Sequence, residues 1–129
     1  MELQTLYRPI GQPELDLIKE SGYKAFPPRL SWQPIFYPVL DFDYACTIAR
    51  EWNTNDSKNG NVGYVTQFDI PLDYFKKFEV HNVGARNHNE LWVPAEELEL
   101  FNSKISGQIK IIKAFYGKGY SGEINTNLL

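Results

Sequence analysis

The chain is poor in cysteine and histidine, and its basic residues form no cluster. Its 129 residues include one cysteine, Cys46, so no internal disulfide is possible. That thiol sits in a helical apolar pattern, where a small buried sulfhydryl is the ordinary reading, and a reducing compartment is expected. No apolar run approaches the length of a membrane span. The first residues, "MELQTLYRPIG", have neither the basic start nor the apolar core of a secretory signal, and a cytoplasmic location is the expectation. The formal charge is −3 and the basic residues are scattered. Lys76 with Lys77, and Lys110 with Lys113, read as exposed faces of a short helix and a strand, which argues against general binding to nucleic-acid backbones. CxxC and HExxH spacings are absent. The only two histidines, His81 and His88, are placed to face each other across one hairpin without a third ligand, so no metal is expected. "GKGYSG" lacks the order and following helix of a phosphate-cradling loop, and no serine has nucleophile-elbow spacing.

What the chain has is rings. With 43% hydrophobic and 15% aromatic residues, it fits one domain whose core is largely aromatic. "TLYRPIG" reads as a strand ending in a turn. "QPELDLIKESG" reads as a helix, with Pro13 in its first turn, early acids and Gly22 at its end. The prolines of "YKAFPPRLSWQPIFYPVL" predict an ordered loop leading into a short edge strand, "PIFYPVL". Asp41 then caps an amphipathic helix, "DFDYACTIAREWN", with Ala45, Ile48, Ala49 and Trp52 on one face. "VGYVTQFDI" alternates as a strand, "PLDYFKKF" is a short helix, and "EVHNV" and "ELWV" form a hairpin around "GARNHN". A helix starting at Pro94, a stop at Gly107 and a last strand, "QIKIIKAFY", complete the order. This predicts an α+β fold, a mostly antiparallel split sheet or sandwich with short packed helices. A single domain over residues 1–116 and a flexible tail over 117–129 are expected.

Three residues stand out chemically. Arg8, between Tyr7 and Pro9 in an apolar strand, needs a carboxylate or phosphate partner if buried, and an internal ion pair would serve as well as a ligand. Tyr37, in "IFYP", is either packing or a ring facing a ligand. Glu90 opens "ELWV" on the apolar side of the Pro94 break, although Glu96, Glu97 and Glu99 already solvate that segment; an exposed edge charge is the ordinary alternative.

In order, "LYRPIG", "FPPRL", "PIFYPVLDFDYACTIAREW", "VGYVTQF" and "NELWVPAEELELFNSKISGQI" resemble a group of small bacterial proteins catalogued as ADP-ribosylation/crystallin J1-like. The likeness covers about residues 5 to 115. Crystallin J1 resembles the helical, magnesium-dependent ADP-ribosylglycohydrolases, whose acidic motifs this strand-rich chain does not carry. The element order is instead similar to the ADP-ribosyltransferase fold, a split β-sandwich with NAD in its cleft. That resemblance implies NAD as substrate, Glu90 as the catalytic acid, and Arg8 and Tyr37 as cofactor-binding positions. The Arg, Tyr, Glu combination joins the Arg-Ser-Glu and His-Tyr-Glu patterns of two branches, so "YVT", with Tyr64 and Thr66, stays open as a second middle position. His88 stands where arginine-modifying members carry Glu or Gln, which leaves the acceptor open and adds His88 as a candidate ligand contact. Two other readings carry the same fold: a non-catalytic interaction or immunity-type module using Trp32 and Tyr23, and a protein that binds a nucleotide without turning it over.

Overall fold

A computed structural model describes residues 1–129. Strand β1, Leu3–Ile10, buries Leu6 and Ile10 on one face. Helix α1, Gln12–Glu20, has proline in its first turn and buries Leu15 and Ile18; beyond it Gly22 takes φ +76°, the left-handed conformation that glycine adopts without strain. A loop leads to β2, Ile35–Phe36. Helix α2, Phe42–Glu51, begins where the Asp41 carboxylate accepts the Tyr44 amide at 2.9 Å, as its sequence predicts. Two 3-10 turns, Asn53–Asn55 and Ser57–Asn59, lead to β3, Val62–Pro71. The short helix α3, Leu72–Phe75, precedes β4, Val80–Asn82, β5, Asn89–Leu91, and β6, Val93–Pro94. A 3-10 turn over Ala95–Glu97 runs into α4, Leu98–Lys104, and β7, Ser106–Tyr116, is the last strand.

The fold is α+β with antiparallel sheets. β3 lies between β1 and β7. On the other side of β1, Val39 exchanges two backbone hydrogen bonds with Tyr7, at 2.9 and 2.7 Å, and bridges onward to Glu90. β2 pairs with β6, while Leu91 donates to Pro38 and Leu40 to Asn89, so residues 35–40 run along 89–94 in one register. β4 pairs with β5 outside them. Residues 35–40 are therefore interior, not at an edge as their prolines suggest. Proline is tolerated here because the ladder is interrupted where its missing donors fall. Pro38 still accepts from Leu91, and Pro9 stands where a donor to Tyr37 is due.

That gap splits the sheet. After the Tyr7–Val39 contact, β1 continues along β3 while the 35–38 stretch stays with β6. The Tyr37 carbonyl, deprived of a backbone donor from Pro9, receives Arg8 Nη1 at 3.4 Å.

Two apolar clusters cover the faces. One gathers Leu6, Ile18, Phe26, Phe36, Phe68 and Phe101 beneath α1 and α4. The other sits under α2 with Val39, Tyr44, Ala45, Cys46, Ala49 and Val65. α2 lies so close to β3 that a Cβ on Gly63 would fall 2.4 Å from the Ala49 carbonyl oxygen. β3 is consequently buried on both faces over its first five residues, which exceeds the one-sided burial its alternation suggests. Trp52, expected on the core face of α2, is 71% exposed at its C-terminal end. Residues 117–129 are laid back on the body. Gly117 donates to the Asn61 carbonyl, the Tyr120 ring packs on Tyr116 at 4.7 Å, and Leu128 packs against the larger cluster.

Candidate functional site

Where β1 and the 35–40 segment diverge, a cleft of about 910 Å³ opens. β1 contributes Arg8 and Pro9, the central segment Tyr37 and Val39, and β5 with its extension Glu90 and Trp92. The C-terminal end of α2 and the turns after it close the far wall with Ile48, Glu51, Trp52 and Asn53. The volume lies within the range of small-molecule sites. Arg8, Tyr37 and Glu90, far apart in sequence, thus line one hollow.

Their states differ. Glu90 is half-buried and bonds two aromatic side chains, Tyr44 behind the cleft and Trp92 in its wall. Its Oε2 accepts the Tyr44 hydroxyl at 2.9 Å and its Oε1 accepts the Trp92 indole N–H at 3.2 Å. Each donor ring is backed by an imidazole. His88 stacks on Tyr44 with centroids 4.2 Å apart, and His81 on Trp92 at 3.8 Å. Trp92 and Tyr37 meet in a T-shaped contact with ring centroids 6.0 Å apart. Burial, with a smaller contribution from the bond to Glu90, pushes the Tyr44 hydroxyl up to about 12, so it stays a donor at any physiological pH. A carboxylate has about four acceptor positions, and this arrangement leaves Glu90 free ones.

Arg8 takes the internal option. Its Nε and Nη2 bond the two carboxylate oxygens of Glu14 at 2.7 and 2.9 Å, a bidentate pair, and its guanidinium lies 4.8 Å from the centre of the Phe36 ring. The arginine lines the cleft while its charge is neutralised on α1. A second guanidinium, Arg29, stands close by with its Nε on the Ile35 carbonyl at 3.0 Å. Burial first, then Arg8, lowers its pKa.

The remaining candidates fall elsewhere. Tyr64 points into a separate cavity of about 430 Å³ beneath α1 and the C-terminal segment, and its hydroxyl donates to Gln12 at 2.7 Å. Thr66 is wholly buried and its hydroxyl donates to the Arg8 carbonyl at 2.8 Å, which supports β1 from behind and leaves no atom for a ligand. His88 reaches the site only through Tyr44. The two histidines are held in separate stacks rather than facing each other.

Sequence reasoning missed Tyr44, Trp92, Trp52 and Asn53. Trp92 was within reach, because two residues along a strand from Glu90 returns to the same face. Nothing in the sequence marks Asn53. Its side chain makes no hydrogen bond, and its Oδ1 is the one buried side-chain polar atom without a partner. No family model matches the chain, and neither a curated protein nor a solved structure does.

Proposed function

We propose that this cleft binds NAD and that the protein transfers ADP-ribose from it to an acceptor. The observation that supports this reading is the convergence of Arg8, Tyr37 and Glu90 on one hollow of about 910 Å³ at a split in the sheet. In the reaction the bond between ribose C1′ and the nicotinamide nitrogen breaks, and its electron pair leaves with nicotinamide, which becomes neutral. The acceptor's nucleophilic atom bonds to C1′ and releases its proton to solvent. Positive charge grows on the ribose in between, and a carboxylate gripping the 2′-hydroxyl stabilises it. Glu90, fixed by Tyr44 and Trp92, is the group for that role. Tyr37 and Trp92, whose rings stand perpendicular to each other, give the flat pyridinium ring one aromatic face to lie on and a second ring at its edge. Arg8 holds the wall in shape through Glu14 and the Tyr37 carbonyl.

The test is nicotinamide release from NAD by the wild-type chain and by Glu90→Gln, which keeps the shape and removes the charge. The expected loss is about 100-fold or more, with NAD-induced thermal stabilisation retained. Equal release by the two proteins would remove Glu90 from the chemistry. A second reading, a non-catalytic interaction module, is favoured by Trp32, 74% exposed in the loop before β2 beside the exposed Leu30, whereas Tyr23, expected with Trp32 on that surface, is half-buried against the larger cluster. It predicts no change in melting temperature with NAD.

A further inference from the structure

The electrostatics of the cleft restrict which end of such a ligand it can hold. The charged residues lining it are Arg8, Glu51, Asp56 and Glu90. Arg8 is neutralised by a bidentate carboxylate, so three acids face the hollow with no free cation among the lining residues. Asp56 accepts from the Lys58 amide and the Asn59 side chain, both neutral donors. Glu51 has only a loose contact with Arg50, at 3.9 Å. The C-terminal end of α2, the negative end of its dipole, opens on the same wall at Glu51 and Trp52. Arg29 does not line the cleft. A diphosphate placed here would face three carboxylates against one arginine already paired with Glu14, and a cation would be favoured over it.

The neutral groups are suited to a planar ring that carries an amide. Tyr37, Trp52 and Trp92 present aromatic surface, which attracts a cationic ring. Asn53 lines the same wall; its Oδ1 is buried, and its side-chain N–H group, which makes no hydrogen bond inside the protein, offers a donor to a carboxamide oxygen.

We infer that the cleft recognises its ligand by a cationic nicotinamide–ribose end and leaves the diphosphate in solvent, so that its ligand class is pyridinium ribosides rather than nucleoside diphosphates. This rests on the reading of the site as an NAD cleft and narrows it. The experiment is calorimetric titration of the full chain with nicotinamide riboside, NAD and ADP-ribose in low-salt buffer. The riboside is expected to bind within about threefold of NAD, and ADP-ribose at least about tenfold more weakly. Glu51→Gln, an exposed change that leaves folding intact, is expected to weaken riboside and NAD alike by about threefold. If ADP-ribose binds as tightly as NAD while the riboside does not bind, the inference is overturned and the NAD reading stands. If none of the three binds, both fall together.

Discussion

Glu90 owes its place to two donors rather than to a cation. The Tyr44 hydroxyl and the Trp92 indole each hold one of its oxygens, and each ring is braced by a histidine. An acid held by neutral donors has no cation competing with a ligand for it, whereas Glu14 is already paired with Arg8. Removing the Tyr44 hydroxyl should therefore free the carboxylate to swing. Tyr44→Phe is expected to slow nicotinamide release by about 10-fold or more and to cost about 1 kcal/mol in urea unfolding. The same hydroxyl gives a pH signature. Its pKa is pushed from 10.0 to about 12 in the folded chain, so folding holds this proton more tightly than the unfolded state does. That stabilisation is whole below pH 10 and is lost as the pH rises towards 12. Burial pushes Tyr64 and Tyr74 up as well. Melting temperature should thus fall steeply above pH 10, and in Tyr44→Phe the fall should be shallower without vanishing. A profile that is flat up to pH 12 would show that these hydroxyls titrate as they do in the unfolded chain.

At the scale of elements, what was readable in the sequence was what local rules decide. The Asp41 cap, the α2 stripe of Ala45 and Ala49, and the strand alternation of 62–70 all correspond to observed elements. Pairing between distant segments was less readable. Prolines 34 and 38 point to an edge, because the sequence does not show that Pro9 leaves a matching gap on the neighbouring strand. "ELWV" reads as one hairpin strand, yet its residues pair with β4 on one side and with the 35–40 segment on the other. Trp52 belongs to the α2 stripe by spacing, but the helix ends at Glu51 and the ring is left outside. Gly63 breaks the alternation of β3 for a reason visible only in three dimensions, the approach of α2 to within contact of its Cα. Gly63→Ala would put a methyl 2.4 Å from the Ala49 carbonyl oxygen, a backbone atom that no rotamer change can move. The expected cost is about 2–3 kcal/mol in urea unfolding. Because α2 carries Tyr44 and the far wall of the cleft, a loss of NAD-induced stabilisation should accompany it.

On the scale of the whole molecule, the three site residues come together because β1, the central segment and β5 are sequential neighbours in space, joined through Val39. The sequence pattern contains those strands, but their adjacency is set by tertiary packing, which also decides that Tyr64 and Thr66 face away. The C-terminal segment shows the same limit. Its Gly, Ser and Asn content predicts a loose tail, whereas Tyr120 and Leu128 anchor it over the cavity that Tyr64 and Tyr116 line. The Tyr116 hydroxyl accepts the Asn125 amide at 2.9 Å, and the Tyr120 hydroxyl bonds the Glu123 carbonyl at the same distance. Composition measures how willing a segment is to bend, not whether two of its side chains find an apolar seat. If the segment is part of the body, removing residues 120–129 must expose Tyr64 and Tyr116 and forfeit one ring pair and a partly buried leucine. Those contacts are together worth about 2 kcal/mol. For a domain of this size the melting temperature should drop by roughly 5–10 °C. The cleft lies on another part of the surface and shares no lining residue with this cavity, so NAD should still raise the lowered melting temperature by the same increment. A truncated chain that melts with the full one would show that the segment only rests on the surface, and a vanished NAD response would show that the two cavities are coupled.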